Sequence, residues 1–164
     1  MAHYTPHLSR DMENVLGISL GTRSMGFVFL HQSELYHWGI KTYKGKWSNK
    51  KLKRILHVVD TLIAVNGITG IAVKIPDNLP ISKGFMQLVG SLNVLFEAKR
   101  IQAKYLSLSD LKQHYCGIRE ANKARLIQLL LEKYPDLNII GKRQSKNRNY
   151  YLKIYEAFAA ANYY

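Results

Sequence analysis

At 164 residues the chain falls within the length of one globular domain and can bury a core without staples, and its 47% hydrophobic and 21% charged content is ordinary for a globular protein. No apolar run approaches the ~20 residues of a membrane-spanning helix, and the single Cys116 forms neither an internal disulfide nor a zinc site. The 24 Lys and Arg against 11 Asp and Glu give a formal net charge of +13; nucleic acid is the expected partner for that balance, although an anionic membrane surface or an acidic protein satisfies the same electrostatics.

The opening MAHYTPHLSRDMEN lacks the basic-then-apolar order of a secretory signal, so residues 1–13 read as a flexible segment of a cytoplasmic protein and 14–164 as its one domain. From Val15 to Leu30, VLGISLGTRSMGFVFL reads as strand, turn, strand: Val15, Leu16 and Ile18 are aliphatic, Gly21-Thr22 closes the run, and Gly26 to Leu30 resumes it. Ser19 stands at the end of the first strand, where a side chain is displayed to whatever binds above a sheet. Glu34 to Tyr43 follows the turn His31-Gln32-Ser33 as a third strand, completing an antiparallel meander.

Ser48 can cap the next helix through its hydroxyl. Leu52, Ile55, Leu56, Val59, Leu62 and Ile63 form its apolar stripe, while Lys50, Lys51, Lys53 and Arg54 crowd its first turns against the helix dipole. Asn66-Gly67 ends it. Ile68 to Ile75 is a near-continuous apolar run, as in a strand covered on both faces, with Lys74 interrupting it near its end. Pro76 and Pro80 bracket a loop, and Phe85, Leu88, Val89, Leu92, Leu95 and Phe96 recur at the helical period. Ile101 to Leu106 is a fifth strand, Ser107 or Ser109 caps a brief helix through Gln113, and Ala121 to Tyr134 is an apolar helix stopped by Pro135. Gly141 to Asn149, GKRQSKNRN, reads as a flexible basic loop before a last helix, Tyr150 to Tyr164, with Ile154, Phe158 and Ala161 on one face. Cys116 reads as a small core filler.

The cations are not spread evenly. Lys41, Lys44, Lys46, Lys50, Lys51, Lys53 and Arg54 run without an acid among them and interleave with Tyr43 and Trp47; Lys142, Arg143, Lys146 and Arg148 form a second acid-free run leading to Tyr150 and Tyr151. Basic residues mixed with aromatics suit phosphate contacts and base stacking, and a solvated charged face is the alternative.

Three strands, helix, strand, helix, strand, helices make an α/β domain whose five-stranded mixed sheet joins an antiparallel meander to parallel strands. GISLGTRSMGFVFL, LYHWGIKT, IAVKI, AKYLSLSDLKQHYCG, ANKARLIQLLL and the terminal YLKIYEAFAAA, in that order and spacing, resemble the RuvC-type Holliday junction resolvases of the ribonuclease H-like superfamily. The resemblance implies a ribonuclease H-like fold, DNA as partner, branched DNA included, and a homodimer. It also implies four carboxylates holding divalent metal ions that activate water against a phosphodiester. Matched motif to motif, those acids fall at Ser19, Lys74, Lys153 and Glu156, so one carboxylate survives.

An ammonium ~4 Å from a divalent cation repels it by about 8 kcal/mol at an effective dielectric of 20, more than one Glu recovers. The expectation is a catalytically degenerate, DNA-binding relative with no metal and no cofactor; magnesium enters only if the chain is an active endonuclease, with Asp77, Asp11 or Glu13 completing the site. Lys74 and Lys153 then either contact phosphate directly or close an internal ion pair with Glu156, and Arg23 and Lys123 resemble basic positions of the family. Two further readings stay open. A scaffold for an acidic protein fits the charge, and GISLGT also resembles the first phosphate loop of sugar kinases and actin-like ATPases. Those proteins, however, are longer, duplicated and carry an acid where Ser19 stands.

Overall fold

The computed structural model describes residues 13–77, 81–142 and 148–164, with Lys142, Arg148, Asn149 and Tyr150 described as backbone only; Asp11, Pro80, Arg143 and Lys146 lie outside the described residues. The strands β1 (Asn14–Ser19), β2 (Ser24–His31), β3 (Glu34–Thr42), β4 (Gly70–Ile75) and β5 (Gln102–Ser107) form one sheet in the order β3-β2-β1-β4-β5. The first three are antiparallel, and β4 and β5 run parallel to β1. This is the expected mixed five-stranded sheet. Between β2 and β3 the turn is made by Gln32 and Ser33, both at positive φ (51° and 66°), the handedness that a two-residue hairpin requires.

Helix α1 (Asn49–Asn66) starts at Ser48, whose side chain accepts from the Lys51 backbone N–H, and stops at Gly67 in the left-handed region (φ 56°). Ser82 caps α2 (Lys83–Ala98) in the same way. For α3 (Leu108–Cys116) the choice between two serines falls to Ser107, which forms a reciprocal capping box with Asp110. The helix expected from Ala121 begins later: Asn122 caps α4 (Lys123–Lys133) by accepting from Arg125 N–H, and Ala121 packs as a buried residue ahead of it. Beyond Pro135 the chain departs from the expected loop. A 3₁₀ turn (Pro135–Leu137) leads into the short α5 (Asn138–Lys142), anchored by buried Leu137 and Ile140, so Gly141 and Lys142 belong to a helix. The last helix, α6, spans Arg148–Tyr163. Among the described residues, no helix is long and apolar enough to cross a membrane.

Side-chain alternation assigns each strand residue to one of two layers. Leu16, Ile18 and Leu20 of the β1 segment, Phe27 and Phe29 of β2, and Ile71 and Val73 of β4 pack with α1 and α2. On the opposite face Val15, Val28, Leu30 and Ala72 pack with α3, α4 and α6. The second layer is unusually close. A Cβ on Gly17 would lie 2.1 Å from the Ala157 carbonyl oxygen, and one on Gly26 would lie 2.6 Å from the Lys153 backbone, so α6 rests directly on β1 and β2. The same parity turns Ser19 and Lys74, the last α6-facing positions of β1 and β4, toward α6.

Candidate functional site

Ser19 and Lys74 are paired neighbours in the parallel β1–β4 ladder. Their side chains meet Glu156, which α6 presents from above: the Ser19 hydroxyl donates to Glu156 Oε2 at 2.8 Å and Lys74 Nζ lies 2.9 Å from the same oxygen. Ser19 is fully buried, and Lys74 and Glu156 are 8% and 5% exposed. Lys123, on the first turn of α4 with its side chain half exposed, brings Nζ to 3.1 Å from Oε1. That pairing is ionic without a hydrogen-bond angle, since Oε1 is buried and accepts no hydrogen bond among the described residues.

Lys153, one turn before Glu156 on the same face of α6, packs its stem over Gly26 and its ammonium over the β1–β2 turn, where a Cβ on Gly21 would lie 2.9 Å from Nζ. Of the two alternatives left open, an internal ion pair forms on Glu156 with Lys74, and with Lys123 besides, while Lys153 makes no ion pair among the described residues.

The charges explain one another. Burial pushes the Glu156 carboxyl up, but the Lys74 ammonium and its hydrogen bond, Lys123 and the Ser19 hydroxyl outweigh it and hold the group below its ordinary 4.5. Lys153 moves down from 10.5, chiefly through burial and then repulsion from Lys74, with Glu156 opposing. The pocket therefore holds three ammonium groups around one carboxylate. Such a donor set does not fit a divalent cation: the sole carboxylate is already shared by two cations, and both of its neighbours on the sheet lack a negative charge.

Among the described residues no other acid completes the set. Asp77 accepts from the Ser109 backbone N–H (2.8 Å) and hydroxyl (2.9 Å), which fastens the segment after β4 to the start of α3. Glu13 precedes β1 at the opposite end of the strand, about 20 Å from Ser19 at ~3.3 Å per residue. Among the described residues no group of three His, Cys, Asp or Glu side chains comes together.

Of the other basic positions, Arg23 lies beside the β1–β2 turn, and Lys44, Lys46 and Lys50 are exposed on the approach to α1. Two residues of that stretch are engaged inside the fold rather than offered to a ligand. Trp47 lays its ring against Gly84 at the start of α2, where a Cβ would lie 2.7 Å from it, and donates its indole N–H to Gln87, so its ring is not a free stacking platform. Lys51 is 7% exposed and donates to the Gly45 carbonyl. Sequence reasoning missed the glycine seat of α6. Gly17 and Gly26 on neighbouring strands and the run AFAAA in the last helix were its available signal.

No family model and no curated protein sequence matches the chain. Solved structures do. Thermus thermophilus RuvC superposes with a TM-score of 0.67 at 15% identity over 91% of each chain. The same organism's RuvC in complex with a Holliday junction substrate gives 0.69 at 15% identity, covering 92% of this chain and 91% of that one. The Fowlpox virus resolvase, in complex with Holliday junction DNA, gives 0.53 at 9% identity over 90% and 94%. The chain has the RuvC-type, ribonuclease H-like fold.

Proposed function

We propose that the protein is a nucleic-acid-binding member of this fold that holds DNA, branched DNA in particular, without cutting it. The observation that carries this reading is the Lys74–Glu156–Lys123 network at the ends of β1 and β4. Positive charge that a metal would supply is built in as side chains, and the half-exposed Lys123 and Lys153, which makes no ion pair among the described residues, add a net positive field at the place where a phosphodiester would approach. Support for DNA comes from the charge of +13 and from the junction-bound RuvC and resolvase structures that share the fold. Lys50 and the acid-free run Lys142, Arg143, Lys146 and Arg148 extend the same basic character. A second copy of the chain belongs to the reading: Met86, Gly90 and Val94 lie four residues apart on α2, Met86 and Val94 are 64% and 67% exposed, and nothing stands over Gly90.

The test is a titration of a synthetic four-way junction and its linear counterpart at low and moderate salt. The reading expects affinity for both, a preference for the junction, and a steep loss of affinity with salt. No binding to either at low salt overturns it in favour of an acidic protein partner.

A further inference from the structure

We infer that the β1–β2 turn and the loop after β3 form a second, preorganised phosphate site, separate from the Glu156 pocket, that grips the backbone of the same nucleic-acid strand. Arg23, Tyr43, Lys44, Gly45 and Lys46 line a depression of about 440 Å³. Three pins hold the loop in place: Tyr43 N–H donates to the Arg23 carbonyl at 2.8 Å, buried Lys51 donates to the Gly45 carbonyl at 2.9 Å, and Trp47 is seated on Gly84 and bonded to Gln87. Gly45 takes a φ of +86°, which lets the chain turn between the two lysines. A loop so fastened loses little freedom when a ligand binds, so its cations are worth more per contact.

Among the described residues the cations themselves have no ion-pair partner. Arg23, Lys44 and Lys46 are exposed and make no ion pair among the described residues, and the sequence holds no acid between Glu34 and Asp60. Arg54 adds its guanidinium 5.9 Å from the Tyr43 ring centre. Burial pushes the Tyr43 phenol up to about 12 against the opposing Arg54, so it stays protonated, and its hydroxyl is buried without a partner among the described residues. Repelling cations held around one hollow by a rigid loop are a site built for an anion.

Position identifies the anion. Lys153 Nζ rests on Gly21 and Arg23 lines the new site, so the two positive centres belong to one turn, two residues apart along the chain. One strand laid across that turn meets both. The inference rests on the nucleic-acid reading for the identity of that strand; the site's preference for phosphate does not.

The experiment compares the full chain with the R23A/K44A/K46A variant, using two probes. In the first, inorganic phosphate is titrated at constant ionic strength while the backbone amide resonances of Lys44, Gly45 and Lys46 are followed. They should shift saturably in the wild type and not in the variant, whose other resonances stay in place. In the second, four-way junction binding is measured against salt, and the variant should lower the slope of log affinity against log salt by about one unit or more, the increment for one phosphate. Amides that do not move with phosphate, or a junction salt slope unchanged in the variant, overturn the inference even where the wild type binds DNA well. Amides that move in a protein that binds no DNA support the site with free phosphate as its ligand, and it is then the nucleic-acid reading that fails.

Discussion

Glu156 stands between two ammonium groups at 5% exposure, and neutralising it leaves Lys74 buried with no counter-charge. Breaking a buried pair from one side costs about 3–5 kcal/mol. Glu156→Gln should therefore lower stability by that order in a urea titration, and a change under about 1 kcal/mol would mean that the network is solvated. The pair's pH dependence has a definite sign. Its carboxyl lies below 4.5 in the folded chain, so its contribution is complete above pH 4.5 and is lost as pH falls through the depressed folded value.

Lys153 behaves in the opposite sense. A lysine lowered from 10.5 by burial and by neighbouring cations opposes folding while it is charged, and that opposition disappears as pH rises from its folded value toward 10.5. Lys153→Met, which keeps the stem and removes the charge, should stabilise the chain by about 1 kcal/mol at neutral pH, roughly 2–4 °C in Tm. The gain should shrink as pH approaches 10.5, and a gain that grows with pH would contradict the account.

The decisive contact between elements is that of α6 with β1 and β2, because it sets the height at which Lys153 and Glu156 meet the sheet. Gly17→Ala would put a methyl group 2.1 Å from a backbone oxygen of α6, which no rotamer relieves. Overpacking of this kind costs typically about 1–3 kcal/mol. Thermal unfolding should show a loss in that range, and no loss would mean that α6 can lift off the sheet.

These elements were legible in the sequence to different degrees. The meander, β4 and the stripes of α1 and α2 follow from periodicity and from the Ser48 cap, whereas the Ser82 cap of α2 was not read from the sequence. Asn122 was overlooked as a cap because apolar Ala121 precedes it, and α5 because five residues carry too little periodicity to separate a helical turn from a loop. At the site, the resemblance brought Ser19, Lys74, Lys153 and Glu156 together by position. Which lysine would pair with Glu156 depended on tertiary geometry: Lys74 reaches it across the sheet and Lys123 from α4, while Lys153, adjacent on the helix, points to the β1–β2 turn. The internal contacts of Trp47 and Lys51 were not legible because a basic-aromatic stretch does not reveal which of its members fasten the loop.

Across the whole molecule, one side of the sheet's end carries the Glu156 pocket, the β1–β2 turn and the loop from Tyr43 to Lys46. These surfaces are positive for different reasons: the first through three ammonium groups set around one carboxylate, the last through exposed cations on a pinned loop. On the proposed reading they give the +13 chain a directed surface rather than a diffusely basic one. The fold is shared with resolvases, but fold alone does not carry cleavage. The internal ions of the pocket bear directly on that distinction.

The most direct measurement follows binding and strand cleavage of one synthetic four-way junction in the same reactions, with no divalent ion, with magnesium and with manganese. The account predicts binding that needs no divalent ion and no cleavage product in any of the three. Metal-dependent cleavage that disappears in Glu156→Gln, with junction binding by that variant preserved, would contradict it and restore the pocket as a nuclease centre.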